Sequence, residues 1–110
     1  MVQYKLQTGV LQEKGVLYSG DNWVSAGVYE IVVNRDPGGE VKAFGSFDAK
    51  SGRIDPNLPN AALQLRTRER VKLKIGGSRG NCIDFEIDQA SIRICEKLAG
   101  SRLAQRRTSC

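Results

Sequence analysis

Val71-Lys72-Leu73-Lys74-Ile75-Gly76-Gly77-Ser78-Arg79-Gly80-Asn81-Cys82-Ile83-Asp84-Phe85-Glu86-Ile87 is the stretch that decides the fold class. Val71, Leu73 and Ile75 alternate with lysines, and Ile83, Phe85 and Ile87 alternate with Asp84, Glu86 and Asp88. That period of two belongs to strands with one buried face. Gly76 to Asn81 has the composition of a flexible loop, so the two runs read as an antiparallel hairpin. Paired in this way, Lys72 and Lys74 share a face with Asp84 and Glu86, and opposite charges across strands stabilise by roughly 0.2 to 1 kcal/mol per pair.

The same grammar extends outward. Leu63 and Leu65 mark a further strand, joined to Val71 around Thr67 to Glu69. Ala49 to Asn60, with Gly52, Pro56 and Pro59, is expected to be a loop. Glu40 to Asp48 alternates, with Gly45 marking a bulge or bend. Asp36-Pro37-Gly38-Gly39 is a strong turn signal, because proline presets φ and glycine accepts a positive φ. Trp23 to Asn34 is rich in aromatic and β-branched residues and reads as a long strand covered on both sides. Trp23, beside the Gly20-Asp21-Asn22 turn, could line a pocket or stack on a ligand, but a core position at the start of a buried strand is the preferred reading. Val2 to Leu11 forms an opening strand, Gln12 to Gly15 a four-residue hairpin loop, and Val16 to Ser19 the return strand. Ile92 and Ile94 suit a last short strand to about Glu96, although Ile92, Cys95, Ala99 and Leu103 also fall near helical spacing. The expectation is an all-β domain over residues 1–96, a small antiparallel meander of seven or eight strands forming a barrel or a sandwich. Residues 97–110 follow as a basic tail.

A chain of 110 residues accommodates one such domain, and an apolar fraction of 40% with a charged fraction of 26% is ordinary for a globular protein. No apolar run approaches the length of a membrane helix, and the first residues lack a signal-peptide pattern, which points to a soluble cytoplasmic protein. The net charge is +5, but Lys97, Arg102, Arg106 and Arg107 carry +4 of it, while residues 1–96 hold 13 basic and 12 acidic residues. The folded part is nearly neutral. The three cysteines, Cys82, Cys95 and Cys110, are expected to be reduced thiols. There is no histidine and no Cys-x-x-Cys pair, so neither a structural metal nor any cofactor is expected. Without histidine, nucleophilic catalysis of the usual kind lacks its base, and a non-enzymatic role follows.

Four arginines stand out as anion-binding candidates. Arg66, Arg68 and Arg70 have the same parity as Lys72 and Lys74, so on one strand they would project as a single basic stripe. Arg79, in Gly76 to Asn81, could aid a phosphate held by backbone amides, although a strand rather than a helix follows. Arg102, Arg106 and Arg107 add electrostatic candidates in the tail. Asp84, Glu86 and Asp88 lie almost 7 Å apart along a strand, too far for adjacent carboxylates to share an ion.

Arg66-Thr67-Arg68-Glu69-Arg70 resembles in part the spaced arginine pair of PilZ domains, which are β-barrels that bind a cyclic dinucleotide. The family's downstream element is an acidic or amide residue, any residue, serine, two residues and glycine. Here Asp88-Gln89-Ala90-Ser91 is one residue longer, and Ile94 stands where the glycine belongs. The run from Leu63 to Ile87 is also similar to the closing meander of small stand-alone bacterial β proteins of unknown function, including products of mobile gene cassettes. That resemblance implies an accessory binding or assembly role.

Two functions follow as expectations. The first is a binding module for an anionic partner, nucleic acid or a phosphorylated ligand, acting through a basic strand face. The second is a structural protein that forms a homodimer or larger homo-oligomer by pairing exposed sheet edges. No membrane partner is expected.

Overall fold

Odd-numbered positions supply the interior of every strand. Leu11 and Leu17, Tyr29, Ile31 and Val33, Ala43 and Phe47, Ala61 and Leu63, Val71 and Leu73, and Ile83, Phe85 and Ile87 are all buried in one cluster. The computed structural model describes residues 7–35, 38–50 and 54–99. Its strands are β1 (Gln7–Ser19), β2 (Asn22–Arg35), β3 (Val41–Ala49), β4 (Ala61–Gln64), β5 (Arg70–Arg79) and β6 (Cys82–Ile87), followed by a helix, α1 (Ile92–Ala99). All pairings are antiparallel, in the order β1-β2-β3-β6-β5-β4, and β4 pairs back onto β1 to close a six-stranded barrel. Two three-stranded meanders are thus joined through β3 and β6. The connection from β3 to β4 is held to the β1–β2 tip, where the Gly20 amide donates to the Asn60 carbonyl at 2.9 Å and the Ser19 hydroxyl donates to the Pro59 carbonyl at 2.6 Å.

The all-β expectation holds, and the expected seven or eight strands become six for two reasons. Gln12 to Gly15 is not a loop: it pairs residue by residue with Gly27 to Glu30, and the chain reverses instead at Gly20, whose φ of 59° suits glycine. The polar residues misread as a loop are partly the outward positions of a continuous strand. At the other end, Ile92 to Glu96 is helical. After a 3-10 turn at Gln89–Ser91, α1 places Ile92 and Cys95 in the core and is pinned to β2 by the Arg35–Glu96 ion pair.

Three further expectations change. The loop at Gly76 to Asn81 shrinks to a turn at Gly80–Asn81, because β5 continues to Arg79 past a bulge between Ile75 and Gly77. Gly45 marks a close approach rather than a bulge: pairing runs through it on both sides, and a Cβ there would overlap the Glu30 carbonyl oxygen. Trp23 is not in the core. A bulge between Leu17 and Tyr18 pairs Leu17 with Ser25 but Tyr18 with Trp23, so Val24 packs toward the core and Trp23 turns outward, 60% exposed.

Of the three cysteines expected to be reduced, Cys95 is a free buried thiol, whereas Cys82 is disulfide-bonded; Cys110 lies outside the described residues. Among the described residues, no helix is long and apolar enough to cross a membrane.

Candidate functional site

The turn between β4 and β5 begins where Leu65 leaves the sheet. The Arg68 amide donates to the Leu65 carbonyl at 2.9 Å, the Leu65 amide donates to the Glu69 carbonyl at 2.8 Å, and Arg68 takes a left-handed φ of 76°. This reversal breaks the stripe predicted from parity. Arg66 and Arg68 sit on the turn, while Arg70, Lys72 and Lys74 project outward from β5 between buried Val71 and Leu73.

The turn is tied to the core through Tyr29. That side chain lies across the barrel interior, 2% exposed, and its hydroxyl accepts a hydrogen bond from the Arg66 amide at 3.4 Å. Burial raises the Tyr29 pKa above its ordinary value, and the Arg66 amide partly offsets the shift. The phenol stays protonated and acts as a fixed post beneath the turn.

Arg66 and Arg68 form one wall of a cleft of about 780 Å³. Lys14 of β1 and Lys50, just past β3, also line it, so cations from three separate segments converge there. Val16, Ala26 and Val28, outward positions of β1 and β2, supply an apolar floor, and Val28 is one of two large apolar side chains left exposed among the described residues. Beneath the floor Gly15 pairs with Gly27, and neither has room for a Cβ: at Gly15 it would lie 2.7 Å from the Tyr29 ring, and at Gly27 it would overlap the Asp48 carbonyl. Asp48 is the acid that lines the cleft. Among the described residues, none of Lys14, Lys50, Arg66 and Arg68 is in an ion pair.

Arg70 has different surroundings. Its guanidinium lies 3.9 Å over the Tyr18 ring, its Nε donates to the Gln64 Oε1 at 3.4 Å, and it reaches Asp21 at 3.8 Å. With Lys72 and Lys74 it lines a second cleft, of about 850 Å³, which also carries Asp21 and Asp88, so its charge is nearly balanced. Arg79 stands roughly 30 Å along β5 from Arg70, with its side chain 76% exposed and 4.0 Å from Asp84. The four arginines proposed from sequence therefore occupy three places. Arg102, Arg106 and Arg107 lie outside the described residues.

The two halves of the partial PilZ pattern meet only in part. Arg70, Asp88 and Ser91 line the second cleft, while Arg66 faces the first. Ser91 is buried, and its hydroxyl oxygen accepts the Lys72 amide at 3.0 Å, which makes it a brace between β5 and the 3-10 turn.

Lys14 and Lys50 were missed as site residues, and Trp23, whose place beside a turn also suits stacking on a ligand, was assigned to the core instead. Lys14 was hidden by the misplaced hairpin and the outward course of Trp23 by the bulge. Lys50 carries no local signal, because only the return of β3 beside β2 brings it near Lys14.

Cys95 offers no chemistry to either cleft. Burial pushes its thiol from 9.0 up to about 12, with a smaller contribution from Glu69, so the nucleophilic thiolate is scarce near neutrality. Among the described residues, no group of three or more carboxylates or cysteines is placed to hold a metal ion. Comparison with protein-family models, curated proteins and solved structures finds no match to this chain.

Proposed function

We propose that this protein is a non-enzymatic binding module for an anionic partner, held in the cleft of Lys14, Lys50, Arg66 and Arg68. The carrying observation is the convergence of those four cations from three segments onto one concavity, with Asp48 as the only acid among the lining residues. Four positive side chains around an apolar floor raise the local anion concentration and leave uncharged surface for the rest of the ligand. Turn rigidity supports this reading. The Tyr29 post and the Leu65–Glu69 hydrogen bond fix the backbone carrying both arginines, so less entropy is lost on binding than at a free loop.

The homo-oligomerising alternative needs a long free strand edge. Among the described residues β1 offers such an edge from Gln7 to Gly15, which has no partner on β4. Nothing beside it selects a second copy, whereas four cations converge on the cleft, so we place anion binding first.

The test is calorimetric titration with inorganic tripolyphosphate at low and at physiological salt. Saturable binding that weakens as salt rises is the expected result, and Arg66→Ala with Arg68→Asn should weaken it at least tenfold, asparagine being chosen because it tolerates a left-handed φ. Absence of binding at low salt would remove the proposal.

A further inference from the structure

The cationic cleft does not end at its own floor. Along the outer face of the β1–β2 ribbon, Lys14 pairs with Val28, Val16 with Ala26, and Tyr18 with Trp23. These are successive outward steps of one twisted ribbon, spaced by roughly 7 Å. The cleft floor therefore runs directly into an aromatic pair, and across β4 the same surface continues through Gln64, opposite Val16, to Arg70, opposite Gln64. Tyr18 faces this side by the alternation of β1, and the bulge, with Val24 as the extra residue on β2, brings Trp23 to it.

We propose that this track binds a single-stranded nucleic acid, with phosphates at the cationic wall and bases stacked on Trp23 and on the Arg70–Tyr18 pair. This inference rests on the anion-binding reading of the cleft and names its partner. Three observations favour a single strand over other polyanions. Trp23 is 60% exposed, which sacrifices burial of the largest side chain in the protein. Arg70 lies over the Tyr18 ring, its guanidinium carbon 3.9 Å from the ring centre, on the outer surface of the barrel, and guanidinium groups are surfaces that bases stack upon. The floor between the cations is apolar, suited to base faces that a duplex keeps inside its stack and that a polyphosphate lacks. An acidic peptide would satisfy the cations but leave the stacking surfaces without a matching partner.

Trp23 is the single tryptophan of the chain, so fluorescence excited at the red edge, where tyrosine does not absorb, reports on this site alone. The experiment titrates the full chain at low salt with a single-stranded oligothymidylate, with a DNA duplex of the same length, and with inorganic polyphosphate of matched charge. Quenching of Trp23 by the single strand is expected, with at least tenfold weaker binding of the other two probes. Trp23→Ala should weaken oligothymidylate binding by about fivefold to a hundredfold, the range for loss of one stacked base, while leaving polyphosphate binding, read by calorimetry, unchanged. Trp23→Phe should fall between. Arg66→Ala with Arg68→Asn should weaken both. Circular dichroism checks that each variant keeps the folded spectrum. Equal binding of all three probes, or a Trp23→Ala effect that is the same on polyphosphate, overturns the nucleic-acid inference and leaves the anion reading standing. Failure of every probe to bind at low salt overturns both.

Discussion

The outer wall formed by β5 and β6 and the outer wall formed by β1 and β2 both carry basic residues at outward positions, yet their charge is arranged differently. On the first, Lys74 faces Glu86 across the sheet, Arg79 lies near Asp84, and Asp88 lines the same cleft as Lys72. On the second, Lys14 faces Val28, and Val16 faces Ala26. Positive charge along a strand becomes surface potential only where the neighbouring strand fails to cancel it. The part of the basic run that lies on β5, Arg70, Lys72 and Lys74, therefore yields the weaker candidate, while an isolated lysine on β1 joins Arg66 and Arg68 in the stronger one.

The sharpest way to break this comparison is to disturb the backbone under one wall and not the other. Gly27→Ala places a methyl against the Asp48 carbonyl and 2.8 Å from the Phe47 ring. Overpacking of that kind costs about 3 kcal/mol, and the melting temperature should fall by more than ~10 °C. Gly77→Ala meets nothing within 4 Å and should shift it by no more than a degree or two. Equal effects in the two variants would mean that the close approach under the cleft is not structural.

On binding, Arg66→Ala with Arg68→Asn should reduce the slope of log affinity against log salt by about 1.4 for a single strand, two contacts at about 0.7 each. Lys72→Ala with Lys74→Ala should leave it nearly unchanged. A larger change from the lysine pair would move the site to the second cleft.

The interior carries a pH dependence of its own. Cys95 and Tyr29 both ionise less readily when folded, so the stability they contribute is complete below their unfolded values near 9.0 and 10.0 and is lost as pH rises through their raised folded values, about 12 for Cys95. Melting temperature should decline across that window, and Cys95→Ala should make the decline shallower. An unaltered slope in the variant would exclude Cys95 as a contributor.

The smallest effect distinguishes the walls by stability alone. Lys74→Ala removes a cross-strand partner of Glu86 and should cost roughly 0.2 to 1 kcal/mol, whereas Lys14→Ala, opposite Val28, should cost less than that. Chemical denaturation of the two variants measures the difference, and a costlier Lys14→Ala would contradict it.

Much of the fold was legible because alternation is a local signal. The strand at Ile83 to Ile87, the long run from Trp23 to Asn34 and the hairpin that follows Arg35 were all readable from neighbouring residues. The failures have one origin. Gln12 to Gly15 looks like a turn by composition, but pairing with Gly27 to Glu30 holds it extended. Ile92 to Glu96 fits both periods, and packing against β1, β2 and β3 selects the helix, which buries Cys95 and Ile92 together. Trp23 follows the inward parity until one bulge reverses it.

By itself, the sequence determined an all-β chain, the inward set of odd-numbered apolar residues and the basic character of Arg66, Arg68 and Arg70, because each depends on residues a few positions apart. Only the tertiary structure decided that the sheet closes through β1 and β4, that Lys14 and Lys50 join Arg66 and Arg68, and that Trp23 faces outward beside Tyr18. Those outcomes depend on register and closure, which are set by which strand ends meet across the barrel, and no local pattern encodes that choice.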